Sequence, residues 1–182
     1  MPGSKQTKTI WAIDPVHTKF RFDAKYLLIT SVSGWFREVE GTVHSVNDDF
    51  TGSEIWLTFY TNSIFTGVDE RDKHLRSEDF FDGRNYPTIK FHSRDVTRDG
   101  NGLRISGELS IKEKTQGLVF SANYLGNVTD PAGNIKACFE MDATLDRKAF
   151  DITWNQVFDK AGVLISDEVK LHADIQLLRI PG

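Results

Sequence analysis

A single cysteine among 182 residues, Cys138, leaves no internal disulfide and no cysteine-rich zinc or iron–sulfur site to hold the chain together. Long apolar runs are missing too: none exceeds about five residues, where a membrane-spanning helix needs roughly 20. Positive charge is not in excess. The 22 Lys and Arg against 26 Asp and Glu give a net charge of -4 and a pI of about 5.7, which argues against nucleic acid or an anionic membrane surface as partner. Methionine is scarce at two, against 13 Phe and four Trp, so the apolar inventory is bulky, rigid and aromatic. Local catalytic and metal motifs are equally wanting. His17, His44, His74, His92 and His172 form no H-x-H or H-E-x-x-H, and no G-x-S-x-G, phosphate loop or dinucleotide fingerprint occurs. Met1–Lys8 is polar and has no apolar core of a secretory signal. This predicts a cytoplasmic protein, or a periplasmic one if a leader has been removed.

What the chain does have is alternation with period two. Phe20, Phe22 and Ala24 alternate with Lys19, Arg21 and Asp23; Ile55, Leu57 and Phe59 with Trp56, Thr58 and Tyr60. The pattern recurs over residues 103–111 and 118–124, and runs longest through Ile135–Leu145 and Val169–Leu177. Strands with one wet and one buried face are the mark of antiparallel sheet. Turn signals at Asn47-Asp48-Asp49, Asp99-Gly100-Asn101-Gly102 and Asp130–Asn134 separate them. With Trp35–Val43 and Thr88–Val96 the count reaches about eight strands, a number that closes into a small barrel. No repeat or linker divides the chain, so one domain is expected. Two stretches break the alternation. Asp69–Phe81 is charged and begins with Asp, which predicts a short helix or an ordered loop. Trp154, Val157 and Phe158 are spaced for one helical turn before Gly162. Both are placed to cover an end of the barrel.

The inward side chains of such a barrel either fill it or line a cavity, and periodicity alone leaves both open. The richest polar cluster is Arg71, Asp72 and His74, followed by Arg76, Glu78 and Asp79. It supplies acid–base groups, or cations for an anionic head group, or simply a solvated helix held by neighbouring ion pairs. Cys138 falls on a polar face beside Lys136 and Glu140 and reads as a passive thiol.

At that cluster a resemblance emerges. Ser63-Ile64-Phe65-Thr66-Gly67, Arg71-Asp72-x-His74-Leu75-x-Ser77-x-Asp79-Phe80-Phe81-Asp82, Tyr86-Pro87 and Phe91-x-Ser93 resemble the signature of the YceI-like family. Trp11-x-Ile13-Asp14-Pro15-x-His17-Thr18, Ser33-Gly34-x-Phe36, Gly107-x-Leu109-x-Ile111, Arg147-x-x-Phe150 and Gly162–Val169 extend the likeness over nearly the whole chain. The sequence departs from the family pattern at Tyr26, where many relatives have His, and at Glu113, Ala149 and Asp151.

The resemblance implies an all-β fold, an extended eight-stranded antiparallel lipocalin-like barrel with one or two short helices, over residues 10–180 behind a disordered tail of residues 1–9. It implies a bacterial homodimer that binds a long amphiphile, an isoprenoid quinone or polyprenyl-type lipid, in an apolar cavity as carrier or reservoir. No chemistry on the lipid, no catalytic residue, no metal and no resident cofactor is expected, beyond a bound isoprenoid or fatty-acid-like lipid. The lumen candidates are Phe20, Phe22, Ile55, Leu57, Phe59, Phe91, Phe120, Phe139, Leu171 and Ile175. The head-group candidates are His17, Tyr26, Arg71 and His74. Two rival readings stand beside this one: a lipid-modifying enzyme using Arg71, Asp72 and His74, and a filled barrel acting as an interaction module.

Overall fold

The computed structural model describes residues 7–27, 29–158, 162–163 and 165–182. The strands are β1 (Thr9–Ile13), β2 (Lys19–Tyr26), β3 (Thr30–Phe36), β4 (Val39–Ser45), β5 (Glu54–Tyr60) and β6 (Ile64–Phe65), then, after the helix α1 (Asp69–Arg76), β7 (Thr88–Asp99), β8 (Gly102–Ile111), β9 (Lys114–Thr129), β10 (Ile135–Asp146), β11 (Val157–Phe158), β12 (Gly162–Val163) and β13 (Ile165–Arg179). Of the tail expected over residues 1–9, residues 1–6 lie outside the described residues and Thr9 already belongs to β1.

β1, β4, β5, β7, β8, β9, β10 and β13 pair antiparallel in that order, and β13 returns to β1, closing an eight-stranded barrel. The alternation decides which side faces in. On β10, Ala137, Phe139, Met141 and Ala143 are buried while Glu140, Asp142 and Thr144 are exposed. On β8, Leu103, Ile105, Gly107, Leu109 and Ile111 point inward. β7 needs one correction of phase: a bulge between Ser93 and Asp95 returns Val96 to the inside, and the buried Ser93 hydroxyl accepts the Ile55 N–H at 2.9 Å. Outward aromatics find partners of their own. Trp56 stacks on His92 with centroids 5.1 Å apart and meets the edge of His44 at 5.0 Å.

β1 and β2 lie in line along β13, with Ile13 opposite Leu177 and Lys19 opposite Asp174. Residues 14–18 occupy the place of residues 175–176, so the chain must bend there. A polar clasp fixes the bend. The ammonium of Lys136, a residue only 8% exposed, donates to Asp14 Oδ2 at 2.7 Å, and His17 Nδ1 lies 2.8 Å from the same oxygen. Thr18 Oγ1 donates to the Gln176 carbonyl and accepts the Gln176 N–H. Partial burial works against the charged carboxylate, but the hydrogen bonds from Lys136, His17 and the Val16 N–H hold Asp14 at about 2, below the ordinary 3.8. β3 and β4 bend at the matching place, so the four strands form one long kinked hairpin. Its β1–β4 half belongs to the ring. Its β2–β3 half continues the sheet beyond β13, and β3 meets β6 only at Trp35–Phe65 and Phe36–Ile64.

The hairpin expected at Asp99–Gly102 joins β7 to β8 with Gly100 at φ 58°, and the Asp130 side chain ties the β9–β10 turn to Ala132 and Asn134. The helix expected in Asp69–Phe81 is α1, with Val68 rather than Asp69 at its N-cap and three carboxylates in its first turn, where they suit the helix dipole. The second expected helical turn does not form. Val157–Phe158 instead pairs with Gly162–Val163 as a small antiparallel hairpin. The reason lies upstream. Arg147 takes the carbonyls of Ile152 and Trp154, and the Asn155 carboxamide holds Ile165 through both its N–H and its C=O, so this backbone is satisfied in an extended path. Among the described residues no helix is long and apolar enough to cross a membrane.

Candidate ligand-binding site

The barrel is solid at one end and hollow at the other. At the β1–β4 end Phe50 folds in from the β4–β5 loop and is 4% exposed. Its ring meets Trp11, Tyr124 and Phe139 at centroid distances of 5.3, 5.0 and 4.9 Å. Phe50 adopts φ 65°, a left-handed backbone that phenylalanine rarely takes, and its aromatic contacts offset that strain. A void of about 60 Å³ lies at this end.

At the β2–β3 end lies a cavity of about 320 Å³, in the range of small-molecule sites. Its wall is almost wholly apolar. Phe20, Phe22, Phe36, Phe59, Phe81, Phe91 and Phe120 border it, with Leu57, Ile89, Leu109, Ile111, Leu118, Met141, Leu145 and Leu171. Two glycines help to keep it open. The Phe22 ring lies over Gly34, where a Cβ would come within 2.2 Å of it, and the Phe91 ring lies over Gly107, where the closest ring carbon would be 2.6 Å away. Rings laid flat against bare backbone leave the lumen free. Leu57, Phe120 and Met141 border the large cavity and the small void alike, and so form a septum between them.

Loop residues cap this end. Arg147, 4% exposed, donates to the carbonyls of Ser166, Ile152 and Trp154 at 2.8–2.9 Å. It thereby staples the segment after the 3-10 turn Arg147–Phe150, so that Ile152, Trp154 and Ile165 border the cavity. Burial lowers the Arg147 pKa from its usual value, against the pull of Asp167 and Asp146. α1 adds two polar residues to the wall, Arg71 and His74. Buried Asp72 accepts both the N–H of Thr66, at 2.8 Å, and its hydroxyl, at 2.5 Å. Arg71 donates from Nε to the Thr66 hydroxyl at 2.7 Å and from Nη2 to the Thr66 carbonyl at 2.8 Å. His74 Nε2 lies 2.8 Å from Asp79 Oδ2, with its ring edge-on to Trp154 and Phe80.

Among the lumen candidates, Phe20, Phe22, Leu57, Phe59, Phe91, Phe120 and Leu171 border the large cavity, and Tyr26, Arg71 and His74 stand with them. Ile55, Phe139 and Ile175 border the small void instead. His17 is brought to neither; it belongs to the clasp on Asp14. Phe36, Phe81, Arg147 and Trp154 were not singled out as site residues from the sequence. For Phe36, Phe81 and Arg147 the signal lies in the motifs Ser33-Gly34-x-Phe36, Asp79-Phe80-Phe81-Asp82 and Arg147-x-x-Phe150, which do not alternate and so carry no inward assignment; Trp154 lies in the segment expected to cover a barrel end. Among the described residues no cluster of His, Cys, Asp and Glu is suited to a metal ion.

The fold has solved counterparts. The crystal structure of Burkholderia cenocepacia BcnA superimposes with a TM-score of 0.78 at 19% identity, over 90% of this chain and 98% of that one. A polyisoprenoid binding domain from Saccharophagus degradans superimposes with a TM-score of 0.68 at 11% identity, over 93% and 98%. In sequence, a UPF0312 protein of Pseudomonas paraeruginosa is 35% identical over 136 residues, 75% of this chain and 71% of the relative. A UPF0312 protein of Staphylococcus epidermidis is 29% identical over 169 residues, 92% of this chain and 96% of the relative. The model of the YceI-like domain matches residues 11–177, nearly the whole barrel, and the chain therefore belongs to the YceI-like family.

Proposed function

We propose that this protein binds one long-chain amphiphilic lipid, of isoprenoid-quinone or polyprenyl type, with its tail in the cavity at the β2–β3 end, and acts as a carrier or reservoir. The observation that carries this reading is the cavity itself, about 320 Å³ with an almost unbroken apolar wall. Burial of a methylene contributes about 0.8 kcal/mol, so roughly ten tail carbons contribute about 8 kcal/mol before ordering costs, the scale of a micromolar complex. The polyisoprenoid binding domain among the structural neighbours supports the same class of ligand. The filled-barrel alternative describes only the β1–β4 end. The enzyme alternative is weakened by Asp72, which is buried and holds Thr66 rather than bordering the cavity.

A homodimer in the cytoplasm, or in the periplasm where a leader has been removed, is part of the same proposal, and the bacterial sources of the relatives fit it. The outer face of β9 offers exposed Val119, Leu125 and Val128 for a second copy to cover. Native mass spectrometry followed by organic extraction tests both points. The expected result is a dimer carrying one extractable lipid per chain. A protein that carries no lipid and takes up none from a total lipid extract would overturn the binding function, and a monomer at micromolar concentration the dimer.

A further inference from the structure

The cavity wall has a one-sided charge. Its ionisable side chains are Arg21, Lys25, Tyr26, Arg71, His74, Arg147 and His172, and among the described residues no Asp or Glu borders it. Most of these side chains already have a carboxylate: Arg21 has Asp23, His74 has Asp79, Arg147 has Asp167, and His172 has Asp142 and Asp174. Lys25 and Arg71 have no ion-pair partner among the described residues; Lys25 is exposed, whereas Arg71 is half-buried. Its neighbour Asp72 is committed to Thr66, with the Thr66 hydroxyl between that carboxylate and Arg71 Nε.

The guanidinium is also oriented in advance. Of its five N–H groups, Thr66 takes one from Nε and one from Nη2. Three remain, two on Nη1 and one on Nη2, fixed in direction by the two that are bound. An arginine held on one edge and open on the other matches a carboxylate or phosphate, which accepts two parallel N–H bonds. A neutral hydroxyl or carbonyl takes one of them and leaves the charge uncompensated beside an apolar wall.

We propose that Arg71 is the head-group anchor of this site and that it selects an anionic amphiphile, a single-chain lipid ending in a carboxylate or a phosphate, over a neutral lipid with the same tail. The proposal rests on the lipid-binding reading above and narrows it to lipids with an anionic head, such as a polyprenyl phosphate, with a neutral quinone disfavoured. The test keeps the tail constant and changes the head. Dodecanoate, dodecyl phosphate and dodecanol are titrated at pH 8 against the protein loaded with the neutral dye Nile red, and displacement is measured. At least one anionic probe is expected to bind about tenfold or more tighter than dodecanol, and the ranking of the two separates carboxylate from phosphate as the preferred head. In Arg71→Gln that preference should fall below about twofold. Arg71→Lys, which keeps the charge without the fork, should retain part of it and serves where the Gln variant does not fold. Equal binding of all three probes by the parent protein, or a preference that survives Arg71→Gln, overturns the anchor and leaves the lipid-binding function standing. Binding of none of the three removes the cavity as a lipid site, and the anchor with it.

Discussion

At the β1–β4 end of the barrel, Trp11, Phe50, Tyr124 and Phe139 pack ring against ring. At the β2–β3 end, an equally aromatic set stands around empty space. Composition therefore does not separate the halves; attachment does. Phe50 enters the solid half from a loop, along the barrel axis, and plugs it. In the hollow half Phe22 and Phe91 lie back over Gly34 and Gly107, while Phe36 meets Phe22, Phe59 and Phe81 only at 5.7–5.9 Å, in tilted or edge-on contacts. The same residue type fills a barrel when it arrives from the end and lines it when it lies on the wall.

Deleting a ring from each half measures that difference. Phe139→Ala, in the solid half, should lower stability by about 3–5 kcal/mol in urea unfolding, whereas Phe22→Ala should cost about half as much, because one face of its ring already borders empty space. Equal losses would mean that the cavity collapses in solution. Adding a ring reverses the comparison. Ala122→Phe overpacks the small void and should cost about 1–3 kcal/mol, while Ala24→Phe projects into the large cavity and should leave the melting temperature nearly unchanged yet abolish lipid uptake.

Asp72→Ala probes the frame of the hollow half. The buried Thr66 N–H loses its acceptor, which should cost about 1–3 kcal/mol. The clasp at the bend is read by acid. Asp14 is held at about 2, so its contribution is present above the unfolded value near 3.8 and is lost as pH falls through about 2. Lys136→Met removes the strongest of the bonds that lower it, and acid unfolding followed by circular dichroism should move to higher pH. The smallest effect is expected at His172. Its hydrogen bond to Asp142 raises its pKa above 6.5, against partial burial, with Asp174 adding to the rise. Its contribution is full below 6.5 and fades as pH rises through the folded value, and His172→Gln should flatten that slope in thermal melts.

The strand ladder was legible in the alternation of β5, β8, β10 and β13, because period two assigns a face to every residue. Which inward residues line the cavity and which fill the plug was not. Leu57 borders both spaces, whereas Ile55, two residues earlier on the same face, borders only the small one. That difference depends on how the kinked hairpin places β2 and β3, and residues 14–18 do not announce a bend by pattern. Lys136 illustrates the opposite failure. Its place on the polar face predicted exposure, but the bend brings Asp14 over it and buries the lysine.

The septum of Leu57, Phe120 and Met141 turns the barrel into a gauge of chain length. A tail growing from the mouth lengthens through open space until it reaches these three side chains, and each carbon up to that point adds about 0.8 kcal/mol. Beyond it the next carbon must displace packed atoms, of which the unbranched Met141 yields most readily. Affinity across a homologous series should then climb in even steps and break to a plateau, and Met141→Ala should move the break toward longer tails.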